Sequence, residues 1–198
     1  MQTATNTTTG AYGLVNLNLS FTSTSSTSGQ SGNITVTAND TAGGGNTGIS
    51  QSGAITQNAN GGSITFTSNN VINQTGAIAL AANTSGTTSA ITYDTTSGTK
   101  ASTITSGALT IASGSTSGIN YVMKSLGAAL NPGQVGGTSV ALPGYVSINN
   151  TYGMSSGTLT NGYITTSNLT TYATTSVGAT INNPIYATGN ITISGAAY

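Results

Sequence analysis

Asp40, Asp94, Lys100 and Lys124 are the only charged side chains in 198 residues, and the chain has no Glu, Arg, His, Cys or Trp. Any carboxylate or amine that acts as a general acid or base must therefore be drawn from these four. Hydrolysis or elimination of polysaccharides needs a pair of carboxyl groups flanking the scissile bond, or carboxylates holding calcium beside a basic group. Here the two carboxyls stand 54 residues apart, and no Glu, His or Arg can assist. Hydroxyls are plentiful, but a Ser such as Ser50 in "GISQSG" becomes a nucleophile only beside a base, and two lysines are all that is available. The reading is a non-enzymatic protein with no catalytic residue and no cofactor.

The same scarcity bears on ligands. Nucleic acid is bound by clustered Lys and Arg that neutralise phosphates, and two scattered lysines do not make such a cluster. Cys and His metal sites are impossible, and a hard-cation site would have to gather oxygens around Asp40 or Asp94. The glycine-rich "DTAGGGNTG" that starts at Asp40 lacks the recurring Asp of calcium-binding repeats, so no metal is expected. Asp94 and Lys100, across "TTSGT", read as a solvated surface pair.

Tyrosine and threonine remain. Six of the nine tyrosines lie between Tyr121 and Tyr186. Tyr among Asn, Ser and Gly makes adaptable surfaces that stack on sugars. Tyr145, Tyr152 and Tyr163 are the candidate recognition residues, set against the alternative that such rings seal an irregular part of the core. Threonine pairs at Thr35 and Thr37, and at Thr65 and Thr67, would array hydroxyls on a flat face and raise ice binding as a minor reading. That array is expected to break at Ala79 and Ala81, taken as the next places in the series.

The elements that carry these side chains are short strands. In "GLVNLNLSFTS", Val15, Leu17, Leu19 and Phe21 alternate with polar residues, the period of a half-buried strand. Ile34 with Val36, Ile64 with Phe66, Ile78 with Leu80, Leu109 with Ile111, Val146 with Ile148 and Ile191 with Ile193 repeat it. Hydrophobic residues make up 35% of the chain and net charge is zero, opposite to the signature of disorder. Only "YVMKSLGAAL", Tyr121 to Leu130, has helical character, and Gly127 and Asn131-Pro132-Gly133 limit it.

A cadence of Gly, one residue, an aliphatic, Thr or Ala, and a second apolar residue recurs in "SGNITVTAND", "GGSITFTSNN", "TGAIALAANT", "SGALTIASGS" and "TGNITISGAA". Steps from Ile34 to Ile55, Ile55 to Ile78 and Ile78 to Leu109 are 21, 23 and 31 residues, the size of one coil of a parallel β-helix. The fold class is all-β, a right-handed parallel β-helix of short strands with Gly and Asn turns. The alternative is an antiparallel β-sandwich, for which only Asn60-Gly61 and Asn161-Gly162 supply hairpin turns. Three regions follow: residues 1–30, an N-terminal extension with one amphipathic strand; 31–115, regular repeats; and 116–198, a less regular Tyr-rich region with a closing strand.

The stretch "SGNITVTANDTAGGGNTGISQSGAITQNANGGSITFTSNNVINQTGAIALAAN" resembles the repeats of filamentous-haemagglutinin-like exoproteins, large bacterial surface proteins exported by the two-partner route. "LPGYVSINNTYG" is similar to a segment between repeats in β-strand-repeat members of that group. The resemblance spans roughly residues 31 to 198, and the NPNG-type motifs of the secretion domain are not among them. It implies an extracellular adhesin or stalk segment at the bacterial surface, in attachment or biofilm, cut from a longer chain or standing alone. A second reading is a self-assembling fibre subunit, since zero net charge removes repulsion between chains and exposed strand edges pair. Val15, Leu17, Leu19 and Phe21 would then form the edge-pairing strand. Partners are accordingly the protein itself, or host and environmental glycans and surfaces. No stretch reaches the roughly 20 apolar residues of a membrane-spanning helix.

Overall fold

The structure is a computed structural model. It describes residues 2–6, 14–23, 32–38, 48–58, 62–80, 89–96, 102–111, 118–123, 129–132, 145–150, 164–166, 169–173, 185–187 and 191–194. All of its regular elements are strands. They run in trios: β1 (Gln2–Asn6), β2 (Leu14–Leu17) and β3 (Phe21–Ser23); β4 (Ile34–Ala38), β5 (Gly48–Gln51) and β6 (Ile55–Gln57); β7 (Ile64–Ser68), β8 (Val71–Gln74) and β9 (Ile78–Leu80); β10 (Ala90–Asp94), β11 (Thr103–Ser106) and β12 (Leu109–Ile111). After these come β13 (Gly118–Met123) and β14 (Ala129–Pro132), β15 (Tyr145–Asn150) and β16 (Ile164–Thr166), β17 (Leu169–Ala173) and β18 (Ile185–Ala187), and finally β19 (Ile191–Ser194).

Each trio distributes its members over three sheets. The first sheet has eight strands in the order β1-β4-β7-β10-β13-β15-β17-β19, the second five in the order β14-β11-β8-β5-β2, and the third four in the order β12-β9-β6-β3; β16 and β18 pair separately. Every pairing is parallel. Parallel neighbours cannot be joined by two-residue hairpins, so the antiparallel sandwich is not the architecture. Pro132 lies in β14, an end strand of its sheet, where its missing N–H leaves no ladder bond unmade.

True repeat lengths follow from register. Ile34 pairs with Ile64, Ile64 with Ile91, Ile91 with Ile119 and Ile119 with Val146, steps of 30, 27, 28 and 27 residues. The expected step from Ile34 to Ile55 joins different sheets and is no repeat, whereas Ile55 to Ile78 and Ile78 to Leu109 are genuine steps of the third sheet. The recurring cadence is thus two structural signals. Gly32-Asn33-Ile34 and Gly62-Ser63-Ile64 open strands of the first sheet; Gly53-Ala54-Ile55, Gly76-Ala77-Ile78 and Gly107-Ala108-Leu109 turn the corner between the second and third.

That corner explains its glycine. A Cβ at Gly53 would collide with the Leu19 carbonyl, and one at Gly76 with the Gly53 carbonyl; at Gly107 it would lie 2.6 Å from the Thr75 oxygen and 2.8 Å from that of Gly76. Backbone stacks directly on backbone there, which only Gly permits. The corner amides are satisfied from the preceding repeat, with Ser52 and Gly53 N–H donating to the Leu17 carbonyl and Thr75 and Gly76 N–H to that of Gln51.

Residues 2–23, expected to carry one amphipathic strand, hold three strands. β1, β2 and β3 pair with β4, β5 and β6 as the first trio of the stack. The alternation from Val15 to Phe21 is divided by the corner: Val15 is buried, Leu17 packs partly against the core, and Leu19 is 83% exposed. The segment expected to have helical character instead contributes Tyr121–Met123 to β13 and Ala129–Leu130 to β14.

Inward positions of the three sheets merge in one buried cluster. Ile34, Ile64, Ile91, Ile119 and Val146 form one column in register; Val36, Phe66, Tyr93, Tyr121 and Ile148 form the next. The rings of Phe66 and Tyr93 stack at 5.3 Å and 15°, those of Tyr93 and Tyr121 at 5.1 Å and 12°. Each buried aliphatic contributes about 1.5 to 3 kcal/mol relative to exposure.

Candidate functional surface

A chain this poor in charge has to use hydroxyls and amides, and the parallel register aligns them. In the first sheet, the place between the two inward columns is held by Thr3, Thr35, Thr65, Thr92, Asn120, Ser147, Thr170 and Thr192, one per strand. Two residues along each strand lies a second rank, Thr5, Thr37, Thr67 and Asp94 in the first four strands. Thr35, Thr37, Thr65, Thr67 and Thr92 are half-buried, alternating with fully buried neighbours. Strands stand about 4.8 Å apart, and residues i and i+2 about 6.6 Å, so the face is a two-dimensional grid.

The threonine series does not break where the sequence led us to expect. Ala79 belongs to the third sheet, between Thr56 and Thr110; the neighbour of Thr65 is Thr92. Ala81 lies outside the described residues. Asn120 extends the rank by donating through Nδ2 to Thr92 Oγ1 and to the Tyr145 hydroxyl, both at 3.4 Å.

Asp94 is the one charged side chain among the described residues, and its Oδ1 accepts from Thr96 N–H at 2.8 Å and from Thr96 Oγ1 at 2.6 Å. It caps a local turn. Asp40, Lys100 and Lys124 lie outside the described residues, as do Tyr152 and Tyr163. Tyr145 is half-buried, and its ring occupies the space a Cβ at Gly118 would need. It covers the glycine of the adjacent strand. Val15 and Leu17 serve the interior, and Leu19 is exposed; for Phe21 only the backbone pairing with Ile55 is described.

Buried polar groups form a second system. Gln51 and Gln74 occupy paired positions of the second sheet and donate through Nε2 to the carbonyls of Gly53 and Gly76. Gln57 does the same for Gly32. Tyr93 donates to Gln74 Oε1 at 2.7 Å, and the Tyr121 and Ser106 hydroxyls are bonded at 2.9 Å. Burial pushes both phenol pKa values well up, the charge of the other ring adding to the effect at Tyr93 and the Ser106 hydrogen bond partly opposing it at Tyr121. These are core struts that alternation alone did not reveal, since Gln and Tyr at inward places look like surface residues.

No protein-family model, curated protein or solved structure matches the chain. Function therefore has to be argued from the grid, the core and the ends of the stack.

Proposed function

We propose that the chain is a rigid, non-enzymatic segment of an extracellular bacterial surface protein, an adhesin or stalk of filamentous-haemagglutinin-like type. The fold reading that goes with it is a right-handed parallel β-helix, in which each trio is one coil. Right-handedness is the rule for parallel strand crossovers. The observation that carries the proposal is the eight-strand parallel order, in which each strand pairs only with its neighbours along the sheet. Such quasi-one-dimensional stacking makes a stiff spacer. Seven strand spacings at about 4.8 Å give a length of roughly 34 Å from β1 to β19.

Small-angle scattering together with adhesion of beads coated with the purified chain tests this reading. A rod-like particle with beads retained on glycans or abiotic surfaces is the expected result. A compact particle with no retention on any surface overturns it. In Tyr145→Phe, retention at the parental level would remove that hydroxyl from recognition.

The self-assembling fibre is the second reading, favoured by Ile191, 51% exposed on the end strand of the eight-stranded order. Deleting residues 1–30 would merely expose β4, β5 and β6 as a new end, so a point charge is the sharper probe. Filaments at low salt that vanish with Ile191→Lys would favour the fibre; monomeric rods would favour the stalk.

A further inference from the structure

We propose that the outer face of the eight-stranded sheet is an ice-binding face, whose ligand is the oxygen lattice of crystalline water. This function is independent of whether the chain serves as a stalk.

The geometry has three parts. First, register puts Thr35 beside Thr65 and Thr65 beside Thr92 in one rank, and Thr37 beside Thr67 in the other. The resulting spacings of about 4.8 Å across strands and about 6.6 Å along them make a rectangular lattice on the scale of the oxygen repeats on the prism face of hexagonal ice, nearer to the shorter repeat than to the longer. Second, the five grid points Thr35, Thr37, Thr65, Thr67 and Thr92 are all β-branched. The stiff χ1 of Thr presents its methyl and hydroxyl in a limited set of orientations, and its hydroxyl both donates and accepts. Waters bridging the hydroxyls of these half-buried threonines would therefore be held at repeated positions. Third, charges that would impose their own hydration are nearly absent: the whole chain has four. The one at the fourth place of the second rank, Asp94, turns Oδ1 to Thr96.

Other outward rows lack this combination. In the second sheet the row reads Asn16, Ser50, Asn73, Thr105 and Asn131, with Thr105 its one β-branched member. In the third it reads Thr22, Thr56, Ala79 and Thr110, on strands only three residues long that have no room for a second rank.

The test is inhibition of ice recrystallisation and thermal hysteresis, measured on the full chain, on Thr65→Lys and on Thr56→Lys, with circular dichroism on each. The parent is expected to shape ice crystals and slow their coarsening. Thr65→Lys should lose both effects, while Thr56→Lys, the same change on another sheet, should keep them. If Thr65→Lys loses its β spectrum, Thr35→Lys replaces it in the comparison. An inactive parent, or equal losses from folded variants on the two sheets, would overturn the proposal.

Discussion

The phenol of Tyr93 donates a 2.7 Å hydrogen bond to Gln74 Oε1, joining one repeat to the next inside the core. Gly107 N–H donates to the same oxygen at 3.0 Å. One repeat earlier the ring is Phe66 and the amide is Gln51, whose Oε1 is buried without a partner. Supplying the missing hydroxyl by Phe66→Tyr is expected to raise unfolding free energy by about 1 kcal/mol. Urea midpoints at constant slope measure it. Tyr93→Phe should lower stability by a similar amount, because Gln74 keeps its Gly107 bond.

Alkaline pH should weaken the fold through the same rings. Both Tyr93 and Tyr121 hold their protons in the native core to higher pH than in the unfolded chain, because burial opposes the phenolate. The unfolded state thus releases protons first, near pH 10, and stability falls as pH rises beyond that point. Below it the contribution of these groups is constant. Denaturation at pH 8 and pH 11 checks this, and the double variant Tyr93→Phe, Tyr121→Phe should show a shallower alkaline loss than the parent.

Gly76→Ala probes the corner. The added methyl points at the Gly53 carbonyl rather than at a movable side chain, so the backbones of adjacent repeats must separate. A loss of about 1 to 3 kcal/mol is expected. Ala77→Gly, at the neighbouring exposed position, should cost less, and a thermal scan of the two variants side by side separates them.

Leu19 stands at the corner place where later repeats have Gly53, Gly76 and Gly107. A Cβ at those places points at the preceding repeat, and β2 is the end strand of its sheet, so the Leu19 side chain has room that the later positions lack. It also blocks in-register stacking of another copy on that end. Leu19→Gly should accordingly increase self-association, read by sedimentation velocity as a concentration-dependent faster species. An unchanged monomer would show that this residue does not guard the end.

Much of the architecture was legible in the residues. Alternation in Ile34 to Val36 or Leu109 to Ile111 announces which side chains are inward, because successive side chains of a strand point to opposite faces. The cadence with Gly signals corners, and the near absence of charge and of His, Cys and Glu leaves hydroxyls and amides as the available surface chemistry. Recurrence of one short pattern pointed to stacking of like on like.

Pairing was not legible. Alternation says which face a residue takes but not which strand lies beside it, since every strand of the stack offers the same backbone ladder. Corner packing and hydrogen bonds between repeats decide that. The tertiary structure therefore moved Ala79 out of the threonine rank and put Thr92 in it, divided Val15 and Phe21 between two sheets, and turned Tyr93 and Tyr121 into buried struts. Composition and period determined that this protein builds stacked short strands; register, set by contacts some 30 residues apart such as Asn33 Oδ1 with Ser63 N–H, decided which hydroxyls share a surface.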